Sequence, residues 1–205
     1  MKVACFLGDS ITLGNGGNGC FPYYVCTRLG WTQVNLGVGG TGYLNTAGGA
    51  SFKFRDRIST VVAANPDIVI VEGGTNDTPA LGFPLADFTT ELPRFFNNLH
   101  AALPSALVYV MAPPAPFTGA RILAQLQDNA AALKVTCAHL PWTTFINCGP
   151  SKWITGTGDR GTPNGTGNAD VYINAGGHPS TIEGQPYLGA LLSFAISPPS
   201  TGLDY

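Results

Sequence analysis

The amino-terminal turn Gly8-Asp9-Ser10 carries the first side chain that could do chemistry, because Ser10 directly follows an apolar stretch at residues 3–7. A serine hydroxyl becomes an effective nucleophile only when a base takes its proton and hydrogen-bond donors stabilise the oxyanion that forms. Gly, Asp and Ser also make turns for purely local reasons. A catalytic role for Ser10 is therefore favoured over a structural turn only if the chain supplies partners elsewhere.

Three later polar stretches could supply those partners. Residues 37–40 are rich in glycine and follow the second apolar run, residues 73–77 follow the third, and His178 precedes the last helical segment. In a parallel sheet covered by helices, ligands bind outside the carboxyl ends of the strands. The four stretches are therefore expected to meet at one rim of the sheet, with His178 close to Ser10.

The elements that must position these residues alternate along the chain. Runs rich in Val and Ile alternate with longer helical segments, which predicts an α/β fold, a three-layer α/β/α sandwich around a five-stranded, mainly parallel sheet. The predicted strands are residues 3–7, 32–36, 68–72, 107–111 and 143–146. The predicted helices are residues 21–29, 52–64, 85–103 and 121–138, with Pro93 starting or kinking the third.

The carboxyl-terminal part predicts one more helix and one long loop. Ser180 or Thr181, with Glu183 close behind, can cap a helix that runs to about Ile196. Residues 149–177 have little periodicity, and irregular segments of this length are usually functional or disordered. At 205 residues, the chain is expected to form a single domain over residues 1–197 followed by a tail at residues 198–205.

Composition limits the classes of partner. Hydrophobic residues make up 44% and charged residues 11%, with a net charge of -2, which argues against a nucleic-acid-binding face and favours a small-molecule or other uncharged partner. No signal peptide is expected, since Met1-Lys2 leads straight into the first strand, and no apolar run is long enough to predict a membrane span. A weakly charged surface rich in Gly and Pro suits an extracellular or particle-borne protein, although the compartment and the oligomeric state are left open.

Cysteine and histidine spacing predicts neither a metal nor a cofactor. The five cysteines form no CxxC pair and no zinc-ligand pattern with the three histidines. Cys5 lies inside the first strand and is expected to be a buried thiol. Cys20 with Cys26, and Cys137 with Cys148, could form disulfides in an oxidising compartment, but the sequence does not give the distances between them.

Together the polar stretches resemble a known family, the SGNH hydrolases, also called GDSL-type esterases and lipases. Gly8-Asp9-Ser10 matches the first block of that family, Asn35 followed by Gly40 the second, Gly74-Thr75-Asn76-Asp77 the third, and His178-Pro179 the end of the fourth. The resemblance covers nearly the whole chain and implies a flavodoxin-like sheet and a carboxylic ester hydrolase.

The resemblance implies a role for individual residues. Ser10 would be the nucleophile and His178 the general base, with an oxyanion hole made by the Ser10 and Gly40 backbone N–H groups and the Asn76 side-chain amide. Glycine lets a backbone N–H approach a substrate closely, and an amide is a neutral donor that needs no deprotonation. Asp9 is expected to support the loop through its carboxylate.

One position departs from the family pattern. The family places an acid three residues before the histidine, where this chain has Ala175. Either Asp170 or, as second choice, Asp159 supplies the acid, or a backbone carbonyl or Asn174 orients His178 in a Ser-His dyad. Orienting the imidazole fixes its tautomer, and losing an acid can cost orders of magnitude in rate where the site was built around one. Of the two alternatives we favour the dyad.

Other functions remain to be weighed. Residues 37–42 fit the dinucleotide fingerprint G-x-G-x-x-G, but the segment after them does not read as the helix that would hold a pyrophosphate. The nucleophile elbow G-x-S-x-G of α/β-hydrolases is absent, since Thr12 takes its last position. The favoured substrate is a short-acyl ester, such as an acetyl group on a carbohydrate. The alternatives are a glycan-binding module with weak or lost catalysis, or a lysophospholipase or thioesterase.

Overall fold

The computed structural model describes residues 1–49, 52–114 and 123–197. Its centre is a five-stranded parallel sheet with the strand order β2-β1-β3-β4-β5. The strands are β1 Val3–Gly8, β2 Thr32–Gly37, β3 Ile68–Glu72, β4 Leu107–Met111 and β5 Thr143–Ile146. All five predicted strands are confirmed, and β1 and β2 are each one glycine longer than expected. The order is that of flavodoxin-like sheets.

The helices of the described residues cover both faces of this sheet. They are α1 Ser10–Leu13, α2 Phe21–Leu29, α3 Ile58–Ala63, α4 Leu85–Ala102, α5 Leu123–Ala138, α6 Ala169–Tyr172 and α7 Gly184–Ile196, with 3-10 turns at Phe54–Arg57 and Pro79–Leu81. The predicted start of the fourth helix, Arg121 and Ile122, lies outside the described residues, as do the predicted tail and Pro198-Pro199.

Two helix predictions need correction, and the last helix is as predicted apart from its start. The segment predicted as one helix over residues 52–64 opens with the 3-10 turn, because Phe54 N–H donates to Gly42 O at 2.9 Å and ties the start to the preceding loop. Pro93 does not start α4, which begins at Leu85 and continues through the proline, whereas a kink at Pro93 stays a prediction. The last helix begins at Gly184, and Ser180 does serve its amino terminus, because Ser180 Oγ accepts from the Gly184 N–H at 3.0 Å.

Successive side chains along each strand point to opposite faces of the sheet, and each face has its own hydrophobic core. Ala4 and Phe6 of β1 pack on one face with residues of α2 and α7, whereas Cys5 and Leu7 pack on the other face with residues of α4. All four side chains are fully buried. Because both faces are covered, the strands carry near-continuous apolar runs, which is why the sequence revealed them.

Two glycines let the turn after β1 lie against the ends of the strands. A Cβ on Gly8 would lie 2.0 Å from Thr12 Oγ1, and a Cβ on Gly37 would lie 2.3 Å from the backbone nitrogen of Leu13. Neither distance is sterically allowed, so any larger residue would push α1 off the sheet. The position of Ser10 therefore depends on the absence of two side chains.

All five cysteines are free thiols in the structure, so neither candidate disulfide is formed. Cys5 is buried, as expected, and burial raises its pKa to about 12. Within the described ranges, no helix combines the length and apolar character needed to cross a bilayer. The same residues bring together no group of three or more His, Cys, Asp or Glu side chains suited to a metal ion. The expectation of a protein without metal or cofactor stays a prediction.

Candidate active site

Ser10 and His178, 168 positions apart in sequence, meet at the carboxyl edge of the sheet. Ser10 Oγ lies 2.8 Å from His178 Nε2. Ser10 is the first residue of α1, and the preceding Asp9 caps this turn by accepting the Ile11 N–H at Oδ1, 2.8 Å away. This is the hydrogen-bond distance that a serine nucleophile and its base require.

The loop around His178 is organised by the side chain of Asn174. Asn174 Oδ1 accepts the backbone N–H groups of Gly176 at 2.9 Å and of His178 at 3.1 Å. A backbone hydrogen bond from Asn174 N to His178 O, 2.8 Å long, closes the turn. The second ring nitrogen, Nδ1, lies 2.9 Å from the carbonyl oxygen of Gly176. Since a carbonyl can only accept, Nδ1 carries the hydrogen and Nε2 is left to accept from Ser10.

The two candidate acids lie in turns of the long loop. Asp170 Oδ2 accepts the backbone N–H groups of Asn164 and Gly165, at 3.0 and 2.6 Å. Asp159 Oδ1 accepts those of Gly161 and Thr162, at 2.7 and 2.8 Å. The hydrogen bond from the Thr162 N–H is the main reason why the pKa of Asp159 is lowered. The acceptor 2.9 Å from Nδ1 is the Gly176 carbonyl rather than either carboxylate. The expectation that Asp170 or Asp159 supplies an acid to His178 therefore finds no support in the geometry.

The loop that carries Gly40 passes beside the nucleophile. A Cβ on Gly39 would lie 3.8 Å from Ser10 Cβ, and Val38 N–H donates to Gly8 O at 3.1 Å. Gly40 has φ of 74°, a backbone conformation that favours glycine. Among the hydrogen bonds of the described loops, turns and caps, none is donated by the N–H of Ser10 or of Gly40. Their role as oxyanion donors stays a prediction.

Asn76, the third expected oxyanion donor, is buried and engaged. Its Nδ2 atom donates to Thr41 O at 3.0 Å and to Asp9 Oδ2 at 3.2 Å. The amide is therefore fixed between the loops that follow β1 and β2. To stabilise an oxyanion as well, Asn76 would have to share one of these hydrogens with the substrate.

A buried pair of acids lies behind the nucleophile, and sequence analysis missed half of it. Asp9 and Glu72 are both fully buried, and Thr12 Oγ1 donates to Glu72 Oε2 at 2.8 Å. Glu72 Oε1 has no hydrogen-bond donor among the described residues. Burial, first of all, and then the nearby charge of Asp9 raise the pKa of Glu72 well above its usual value. The raised pKa favours the protonated form of Glu72, which can donate a hydrogen bond to Asp9. A glutamate at the end of an otherwise apolar strand was the available signal.

Asp77 holds the loop after β2 through three backbone hydrogen bonds. Its carboxylate accepts the N–H groups of Tyr43 at 3.0 Å, Leu44 at 2.9 Å and Asn45 at 3.0 Å. Burial raises the pKa of Asp77, and the three N–H groups act in the opposite direction. A Cβ on Gly42 would lie 2.2 Å from Asp77 Oδ2, so this contact also requires glycine. Asp77 is thus the residue that fixes the loop carrying Gly40.

Two more buried polar residues that sequence analysis missed tie the strand ends together. Arg57 donates to Leu36 O at 2.6 Å, to Gly8 O at 3.2 Å and to Thr41 Oγ1 at 3.0 Å. Burial lowers its pKa to about 10. Asn129 Nδ2 donates to the carbonyl oxygens of residues 74 and 77, at 2.8 and 2.9 Å. Both lie in helical segments, where sequence alone does not distinguish a buried polar residue from an exposed one.

A cavity of about 320 Å³ opens beside Ser10 and His178. Besides these two residues, its lining is formed by Leu13, Gly14, Asn15, Asn174, Pro179, Thr181 and Gln185. No Asp, Glu, Lys or Arg is among the lining residues, and several of them are uncharged hydrogen-bonding groups. The cavity can hold a small neutral substrate with its reacting carbonyl at Ser10.

The sequence matches the GDSL-like Lipase/Acylhydrolase family over residues 6–181. The chain therefore belongs to this family of ester hydrolases. No curated protein matches the chain in sequence.

Solved structures of low sequence identity have the same fold. A carbohydrate esterase family 2 enzyme with a carbohydrate-binding domain, from Corynascus thermopiles (Myceliophthora fergusii), superposes with a TM-score of 0.70 at 19% identity, over 95% of this chain and 65% of that one. A family two carbohydrate esterase from Clostridium thermocellum, in complex with cellohexaose, superposes with a TM-score of 0.67 at 18% identity, over 95% of this chain and 63% of that one. TesA superposes with a TM-score of 0.67 at 19% identity, over 94% of this chain and 98% of that one. The chain thus spans less than two thirds of the length of either carbohydrate esterase.

Proposed function

We propose that this protein is a serine esterase that hydrolyses short-acyl esters, with an acetyl ester on a carbohydrate as the favoured substrate. The domain of residues 1–197 would carry the activity. The observation behind the proposal is the 2.8 Å contact between Ser10 Oγ and His178 Nε2, with Nδ1 of the same ring 2.9 Å from a carbonyl oxygen. In that arrangement Nε2 is the ring atom that accepts the serine proton.

Acylation follows from this geometry. Ser10 Oγ attacks the ester carbonyl carbon while its proton passes to Nε2, and the carbonyl π electrons move to the oxygen. The Ser10 and Gly40 N–H groups, with a shared Asn76 hydrogen, stabilise this oxyanion, and one such donor contributes about 3 kcal/mol. Collapse breaks the bond to the alcohol oxygen, which takes the proton from Nε2. Water then attacks the acyl-enzyme with His178 again as base, releasing the acid and restoring Ser10.

The base is oriented by a neutral dipole rather than by a carboxylate. The Gly176 carbonyl fixes the tautomer and stabilises the imidazolium through a hydrogen bond, but it brings no full negative charge. We therefore assign a Ser-His dyad in which Asn174 supports the loop.

The uncharged lining of the cavity favours a small polar ester over a long-chain lipid. Two neighbours of the same fold are described as carbohydrate esterases, one of them in complex with cellohexaose. A lysophospholipase or thioesterase would instead need a long apolar channel for the acyl chain or a large thiol leaving group.

A binding module is the second candidate, and Ala175 in place of the family's acid is the observation that favours it. A glycan bound across the same cavity would not require Ser10 to react. Catalysis and binding differ in one respect that can be measured, namely whether release of product depends on the serine hydroxyl.

The test is hydrolysis of p-nitrophenyl acetate by the wild type and by Ser10→Ala. We expect kcat/KM to fall by about three orders of magnitude or more in the variant, with the melting temperature nearly unchanged. Equal release by the two proteins would overturn the esterase assignment and leave the binding module. A series of p-nitrophenyl esters from acetyl to octanoyl tests the acyl length, and a steady rise in kcat/KM along it would contradict the short-acyl preference.

A further inference from the structure

The side of Ser10 on which the alcohol part of the ester lies is set by the base, provided that the proposed esterase function holds. His178 Nε2 must hand its proton to the leaving oxygen, so the alcohol has to lie next to the imidazole. The cavity of about 320 Å³ includes both Ser10 and His178, and it extends from them towards Asn15, Asn174 and Thr181. This direction is therefore the side of the leaving group.

A second cavity lies next to the first and shares two lining residues with it. It has a volume of about 370 Å³ and is lined by residues that include Arg160, Ala175 and Ile182. Asn174 and Thr181 line both cavities, whereas Ser10 and His178 line the first alone. We call the two neighbouring cavities together the Asn174–Thr181 groove.

The groove presents hydrogen-bonding groups that are already held in place. Asn174 Oδ1 is engaged by two backbone N–H groups, which fixes the amide, while its Nδ2 donates to no other described residue. Thr181 Oγ1 accepts from Asn15 Nδ2, so its own hydrogen is left to donate elsewhere. Donors fixed by the protein bind a ligand at a smaller cost in entropy than mobile ones do.

The rest of the groove is balanced in charge and partly apolar. Arg160 is paired with Glu183, so the far end carries no net charge. Ile182 is 77% exposed and offers an apolar surface at the same end. Hydroxyl groups can use the amide and hydroxyl donors, and the C–H face of a sugar ring can pack on the isoleucine. A charged alcohol or a plain alkyl chain would use only one of these features.

We propose that the Asn174–Thr181 groove is the subsite for the alcohol part of the ester and selects an uncharged, polyhydroxylated alcohol, a sugar unit. Asn174 Nδ2 and the Thr181 hydroxyl donate hydrogen bonds to its hydroxyl groups, and Ile182 packs on its ring. The acyl group lies on the other side of Ser10, towards the loop of Gly40.

The experiment compares two acetates that differ in their alcohols alone. One is the acetate of the primary hydroxyl of methyl glucoside, and the other is cyclohexylmethyl acetate, which has a ring of the same size without hydroxyls. The measured quantity is the ratio of the two kcat/KM values. The wild type should favour the sugar ester by about tenfold or more, because Asn174 Nδ2 and the Thr181 hydroxyl can donate hydrogen bonds to the sugar hydroxyls.

Variants at Thr181 test whether the groove causes the preference for the sugar ester. Thr181→Val keeps the shape and removes the hydroxyl, and should lower the ratio about tenfold, mainly through KM for the sugar ester, whereas Thr181→Ser should keep it. Thr27→Val, on an exposed position of α2, is the matched control and should leave the ratio unchanged. A ratio that Thr181→Val does not alter, or a wild type that prefers cyclohexylmethyl acetate, overturns the inference alone. Loss of all serine-dependent hydrolysis overturns the proposed function together with it.

Discussion

The two members of the Ser10–His178 pair are held by different kinds of structure. Around Ser10, buried polar groups connect the ends of β1, β2 and β3, with Asp9, Glu72 and Asp77 all fully buried. Around His178, the chain is a solvent-accessible loop in which Asn174 and Asp159 accept hydrogen bonds mainly from nearby backbone N–H groups. The nucleophile is thus positioned by the core, and the base is positioned by the local conformation of its own loop.

Because of this difference, the two regions are expected to tolerate substitutions to different degrees. A buried acceptor cannot be replaced by water, so removing it leaves unsatisfied donors inside the protein. An acceptor near the surface can be replaced by water, and the loop keeps much of its shape. Loss of the family's acid at Ala175 is compatible with an intact fold because it falls in the second region.

The largest effect on stability is expected for Asp77→Ala. This change leaves three backbone N–H groups without an acceptor in the loop that carries Gly40, and should lower the free energy of unfolding by about 3 kcal/mol or more. Chemical denaturation followed by circular dichroism measures the loss.

Asp159→Ala is the matched variant in the other region, because Asp159 also accepts three hydrogen bonds, two from backbone N–H groups and one from the Thr162 hydroxyl. Its loss of stability should be far smaller, since water can reach the groups set free. Equal losses for the two variants would refute the distinction between the regions.

A smaller effect, visible as a change with pH, is expected for Glu72→Gln. The raised pKa of Glu72 means that the folded protein keeps a proton that the unfolded chain releases above about pH 4.5. Its contribution to stability is therefore fully present below that pH and is lost as the pH rises through the folded-state pKa. Glutamine mimics the protonated acid and has no such loss.

Melting temperatures of wild type and Glu72→Gln from pH 5 to pH 8 test this directly. The stability of the variant relative to that of the wild type should increase as the pH rises, by up to about 1.4 kcal/mol for each pH unit over which the folded wild type keeps the proton. Parallel curves would mean that Glu72 is ionised in the folded protein and that the buried pair does not share a proton.

The smallest effect is expected for Asp170→Asn. Asp170 holds the N–H groups of Asn164 and Gly165, and Nδ1 of His178 is 2.9 Å from the Gly176 carbonyl. Ester hydrolysis should stay within a few-fold of wild type. A collapse of kcat in a folded variant would show that Asp170 acts on His178 and that the dyad assignment is wrong.

Regular elements and the order of the polar stretches could be read from the sequence. Buried strands appear as apolar runs, which is why β3, β4 and β5 were predicted with their observed bounds. The convergence of Ser10 and His178 follows from the rule that loops leave a parallel sheet at one edge. The 3-10 start before α3 was missed because it depends on a long-range backbone contact, from Phe54 to Gly42.

The buried polar network could not be read in the same way. Arg57 and Asn129 bind carbonyl oxygens of residues distant in sequence, and nothing in their immediate neighbours indicates it. Asp77 was read as part of a turn, whereas it anchors a loop more than thirty positions earlier. Such partners depend on which loops the sheet brings together, and local sequence patterns do not carry that information.

The sequence by itself determined the fold class, because apolar patterning reveals the strands and helices. Its motif blocks also carried the resemblance to a family that implies Ser10 and His178 as the candidate pair. Only the tertiary structure decided what lies beside His178 Nδ1. The family's position for an acid holds Ala175, and whether another carboxylate or a carbonyl takes its place depends on the path of the loop. That path is set by hydrogen bonds to Asn174, Asp159 and Asp170, whose partners are known only once the chain is folded.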